Sequence, residues 1–141
     1  MSHEERITWS LGVMAPLAYV TYLALTFVVG DGPLDGATFV WPMIWTIGGG
    51  IVAGILAGIV VGIVSGMAGD TTFKPDQRDK EIGWLGRRVG GSFIVIGGLG
   101  ALILCFVQAP HAWIANVLYL AFIVAAIVES IAKLVVYRRG F

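Results

Sequence analysis

Apolar residues run almost without interruption through four stretches of the chain, at about positions 7–29, 39–68, 84–107 and 112–137, and polar residues gather between them. Each stretch reaches or exceeds the ~20 residues that a helix needs to cross ~30 Å of hydrocarbon. Inside a bilayer the backbone must satisfy its own hydrogen bonds, so runs of this length predict helices. The pattern therefore predicts an all-α integral membrane bundle of four transmembrane helices, one domain over residues 1–141. The first stretch exceeds the ~7–15 apolar residues of a cleaved signal peptide and lacks a small-residue cleavage pattern, so it is expected to be retained.

Charge turns this pattern into a topology. Lys and Arg together number 9. They are Arg6 ahead of the first stretch, Lys74, Arg78, Lys80, Arg87 and Arg88 around the second connection, and Lys133, Arg138 and Arg139 at the end of the fourth. Threading four spans through a bilayer puts all of them on one side, and an excess of Lys and Arg marks the cytoplasmic side. The expected arrangement is N-in/C-in, with 69–83 as a cytoplasmic loop, in the cell inner (cytoplasmic) membrane. The first outer connection, Gly30-Asp31-Gly32-Pro33-Leu34-Asp35-Gly36, is a turn cluster without a basic residue, and the second, Gln108-Ala109-Pro110-His111, is shorter still. Short connections force consecutive helices to be antiparallel neighbours. Trp41, Trp45 and Trp113 then form an outer aromatic belt, with Trp9, Trp84 and Tyr137 near the inner one.

Composition agrees, with hydrophobic residues at 57% and charged residues at only 13%. The formal net charge is +0, which offers no basic surface to nucleic acid. A lone Cys105, inside the third stretch, cannot form an intrachain disulfide. Pro16 interrupts the first stretch and is expected to bend it, and neighbouring helices or the hydroxyls of Ser10 and Thr21 would have to compensate the carbonyl that the proline leaves without a partner.

The second stretch holds a regular repeat, with Gly50, Gly54, Gly58, Gly62 and Gly66 at every fourth position. Glycine at this spacing bares the backbone along an i±4 ridge and favours a close right-handed crossing near −40°. These five glycines are the predicted packing face, within one chain or between copies, and they point to a homo-oligomer.

Glu129 is the only acidic residue inside a span. Counted from Tyr137 it lies roughly 12 Å along the helix, where an unpaired carboxylate is costly. Lys133 follows at i+4, the favourable order for a helical ion pair. Arg88 and Ser92 of the third stretch are expected at about the depths of Lys133 and Glu129, so the four could form one polar cluster. That cluster is either a structural pair with a snorkelling lysine or a proton or cation site. Nearer the outer side, Asn116 and Tyr119 share one face of the fourth helix with Ser130, a stripe suited to hydrogen bonds between helices.

His3 and His111 fall on opposite sides of the membrane, so no metal site can be built from them. No nucleophile with a base, paired carboxylates, phosphate-cradling loop or redox motif occurs in the chain. Neither enzymatic activity nor a cofactor is expected.

The densest polar stretch runs from Lys74 to Arg88. Asp76 can cap a helix whose first turn carries Asp79, and Asp76 with Lys80 adds an i,i+4 pair, so a water-exposed helix is expected to start here and then enter the membrane. The stretch serves as a topology anchor or as a docking surface, with Asp76, Arg78 and Asp79 as its recognition residues. The run Asp76-Gln77-Arg78-Asp79-Lys80-Glu81-Ile82 resembles the Asp-Glu-Arg-Asp-x-x-Ile signature of small uncharacterised four-helix membrane proteins of bacteria and archaea. Gln77 stands where that signature has an acid. The resemblance implies regulation rather than catalysis, because such proteins resemble membrane components encoded beside small helix-turn-helix regulators. Small multidrug transporters share the span plan, but their essential glutamate belongs to the first span, and none occurs there in this chain.

The sequence thus predicts a non-enzymatic regulatory or scaffolding membrane protein that presents an inner loop to a cytosolic or membrane partner. The alternative is a small oligomeric transporter or channel using Glu129.

Overall fold

The computed structural model describes residues 3–29, 39–67 and 77–139. It contains α1 (His3–Val29), α2 (Val40–Met67), α3 (Gln77–Phe106) and α4 (His111–Arg139), and no strand among the described residues. All four helices are long and apolar enough to cross a membrane. The molecule is an all-α four-helix bundle and, on those spans, a multi-pass membrane protein. Its outer surface agrees, since Trp41, Trp45, Ile55, Ile59, Trp84 and Val95 are all more than half exposed. Contiguous apolar surface on this scale is unsuited to water and suited to lipid.

Residues 77–83, on the cytoplasmic side in the expected topology, form the first two turns of α3, the helix start expected after Asp76. Asp79 in that first turn suits the positive end of the helix, and Ile82 is completely buried and anchors it. The α3–α4 connection is a tight reversal. Gln108 adopts a left-handed φ of 54°, the Ala109 N–H donates to the Leu104 carbonyl at 2.9 Å, and the Gln108 N–H donates to that of Cys105 at 3.1 Å. This pair of bonds is a Schellman cap, which satisfies carbonyls left open at the helix end. Pro110 then prevents α3 from continuing.

The extensive helix contacts are α3 with α4, α1 with α4 and α1 with α2. Across the bundle the order is therefore α2–α1–α4–α3, with α2 and α3 at the flanks. The tightest seam joins α3 to α4, and glycines of α3 make it. A methyl built on Gly86 would lie 2.7 Å from Lys133 Cγ, one on Gly90 would lie 2.8 Å from the Ala125 carbonyl oxygen, and one on Gly97 would overlap Ala121 Cβ. No side chain larger than hydrogen fits at these three positions without moving a neighbour. On the other side of α4, a methyl on Gly12 of α1 would meet Ser130 Cβ at 3.0 Å.

The predicted glycine face of α2 is differently placed. A methyl built on Gly50 or Gly54 would meet α1 only at ordinary contact distance, 3.9 Å from Ala18 Cβ and 3.7 Å from Leu11 Cδ2, while one on Gly58 or Gly62 would have no other element within 4 Å among the described residues, and Gly66 is exposed. Steps of four residues turn the stripe by about 40° each, which carries it off the α1 contact. Pro16 lies inside α1, and the expected compensation by hydroxyls is not made there. Ser10 donates to the Arg6 carbonyl at 3.0 Å and Thr21 to that of Leu17 at 2.8 Å, since each hydroxyl bonds back four residues along its own helix and neither reaches Gly12.

Candidate functional site

Small residues decide where the bundle is hollow. Ala15 and Ala18 of α1, Gly50 of α2 and Ala126 of α4 face a common space, and a groove of about 560 Å³ opens between these three helices. Leu11, Met14, Phe122 and Ile123 complete apolar walls. Pockets of ~300–1,000 Å³ with apolar walls and a few polar groups are the usual form of a ligand site between helices.

Polar groups lie at the two ends of the groove. At the end shared with the Lys and Arg residues are Thr8, Ser130, Glu129 and Lys133. Lys133 Nζ and Glu129 Oε1 form an i,i+4 ion pair at 2.5 Å, with side chains 19% and 30% exposed. The α3 seam positions this pair: the Lys133 stem lies over Gly86 and the Glu129 stem over Gly90, where glycine leaves room for them. The pair is thus held between the bare face of α3 and the groove. Charges in so apolar a setting persist when each neutralises the other.

At the opposite end the Tyr119 hydroxyl donates to Thr46 Oγ1 at 3.2 Å, and Thr46 Oγ1 donates to the Pro42 carbonyl at 2.8 Å, which ties α4 to α2. Tyr119 also packs edge-on against Tyr19 and Tyr22, at centroid distances of 5.6 and 5.2 Å. The Tyr22 hydroxyl, in a side chain only 1% exposed, donates to Asn116 Oδ1 at 2.6 Å, and Asn116 Nδ2 donates to the Ala112 carbonyl at 2.8 Å. Asn116, Tyr119 and Ser130 therefore make the contacts between helices that suit their shared face, with Ser130 buried against Gly12.

Of the four residues expected in one polar cluster, Glu129 and Lys133 meet. Arg88 is exposed and lies over the Trp84 ring at 5.1 Å, while Ser92 is exposed and donates to the Arg88 carbonyl at 3.1 Å. Each stands two residues beyond a glycine of the α4 seam, which turns it about 200° away to the outer face of α3. The neighbouring Gly86 and Gly90 do lie level with Lys133 and Glu129 along the α3–α4 seam, but Arg88 and Ser92 point the other way around the helix.

Of the three docking residues, Asp76 lies outside the described residues, Arg78 is exposed, and Asp79 accepts a hydrogen bond from the Tyr137 hydroxyl at 2.9 Å. Asp79 thereby fastens the start of α3 to the end of α4, a structural task that its place in a polar run did not announce. Nearby, Arg138 of α4 lies over the Trp9 ring of α1 at 5.6 Å, a cation–π contact at the same end of the bundle.

Sequence reasoning also missed the glycine seam of α3 and the three-tyrosine cluster. Gly86 and Gly90 are spaced by four, but Gly97 follows after seven, and this broken rhythm hides behind the regular repeat of α2. Tyr19 and Tyr22 lie at i,i+3 on α1, a spacing that gives them one face and was the available signal. Comparison of the chain with protein-family models, with curated proteins and with solved structures finds no match.

Proposed function

We propose that the protein is a non-enzymatic regulatory or scaffolding element of the cytoplasmic membrane, which pairs with a second copy through α2 and presents the start of α3 to a cytosolic partner. The observation that carries this reading is the open glycine face of the flanking helix. A methyl built on Gly58 or Gly62 would meet no other element within 4 Å among the described residues, and Ile55, Ile59 and Ile63 stand exposed beside them. Helices in lipid associate through small residues that let backbones approach, and a bare backbone stripe gains that contact from another helix more fully than from mobile acyl chains. A two-fold pair would use the same stripe on both copies. At the basic end Arg78, Lys80 and Glu81 are exposed and available for recognition.

A second reading, transport, is favoured by one observation, the ion pair at the end of a groove. The two readings separate in one set of variants. On the scaffolding reading Gly58→Leu yields monomers in nanodiscs with unchanged helix content, whereas Ile59→Leu stays paired because its volume is nearly conserved. Retention of the pair by Gly58→Leu would show that α2 meets lipid and would end this reading. Flux in proteoliposomes that is lost in Glu129→Gln would favour transport.

A further inference from the structure

The groove between α1, α2 and α4 has dimensions that select among occupants. From Lys133 to Tyr119 it follows fourteen positions of α4, about 21 Å at 1.5 Å per residue. A groove of about 560 Å³ over that length holds one alkyl chain along its apolar walls.

The ends give that chain a direction. Both hydroxyl hydrogens at one end are used, that of Tyr119 on Thr46 and that of Thr46 on the Pro42 carbonyl, so this end offers a guest acceptors only. At the other end an ammonium has three donors and Glu129 takes one of Lys133's, while the carboxylate keeps acceptor positions beyond the one it shares. The pair carries no net charge. A cationic head would be repelled by Lys133 and an anionic head by Glu129, and either would leave an uncompensated charge in a low-dielectric site. An uncharged head bearing hydroxyls can accept from Lys133 and donate to Glu129 at once.

We propose that this groove binds a single-chain lipid with an uncharged, hydroxyl-bearing head group of the monoacylglycerol kind, its chain along Ala15, Ala18 and Ala126 and its head at Glu129 and Lys133. The site is independent of pairing through α2. It is tested with purified full-length protein by native mass spectrometry, offering 1-oleoylglycerol, oleate and oleylamine at equal concentration. The expected result is retention of 1-oleoylglycerol about tenfold above either charged analogue, and loss of that preference in Glu129→Gln/Lys133→Met. Ala126→Leu, which fills the groove, should lower retention about tenfold, and Ala15→Leu does the same from the facing wall. Gly58→Leu should bind as the wild type does, even if it is monomeric. Equal or better retention of oleate or oleylamine by the wild-type protein would overturn the proposal, as would undiminished retention by a folded groove-filling variant.

Discussion

Gly97→Ala, the addition of one methyl group, is expected to loosen the bundle, and Gly97→Leu to separate α3 from α4. The methyl would occupy the position of Ala121 Cβ, so the two backbones must part or the α4 side chain must yield. Overpacking of a close contact costs about 1–3 kcal/mol, and the loss falls on the most extensive seam in the molecule. Gly98→Ala is the control. It lies one residue along, where an added methyl would meet no other element within 4 Å among the described residues, and alanine is the better helix former by about 1 kcal/mol in water. Thermal unfolding in detergent should order the variants with Gly98→Ala near the wild type, Gly97→Ala below it and Gly97→Leu lowest. The exchange Gly97→Ala/Ala121→Gly should recover most of the loss, because the missing methyl on α4 makes room for the new one on α3.

The Glu129–Lys133 pair is expected to give the second large effect, through its non-additivity. Lys133→Met leaves a carboxylate 30% exposed beside apolar walls, with no partner in its own turn. Removal of one member of a fully buried pair costs about 3–5 kcal/mol, and partial exposure should lower this to about 1–3 kcal/mol. Glu129→Gln/Lys133→Met removes both charges while keeping similar volumes, and should be more stable than Lys133→Met alone. A double-mutant cycle in urea or by heat measures this coupling. Additive losses would mean that the two side chains act separately.

What the sequence made legible follows from one-dimensional physics. Four spans can be read from run length alone, because bilayer thickness sets helix length. The Glu129–Lys133 pair can be read because an i,i+4 contact is internal to one helix and needs no knowledge of the fold. The placing of Arg88 and Ser92 failed because depth is a coordinate along the helix, whereas a contact also needs the direction around it. The glycine repeat of α2 announced that a helix could approach closely, but not which one. Inside the chain the close approach belongs to Gly86, Gly90 and Gly97 of α3, and the regular stripe of α2 is left largely open. Asp79 looked like a free surface acid because its partner, Tyr137, is remote in sequence. Helix order across the bundle, which decides all of these, arises from side-chain fit between elements and leaves no periodic trace along the chain.

The central claim is that the chain crosses the membrane four times with its basic end in the cytoplasm. Single cysteines in a Cys105→Ala background test it most directly, at two exposed positions on opposite ends of the bundle, Lys80 and His111. In intact cells His111→Cys should react with a membrane-impermeant maleimide, and Lys80→Cys should react only after permeabilisation. Labelling of Lys80→Cys from outside, with His111→Cys protected, would reverse the orientation and contradict the account.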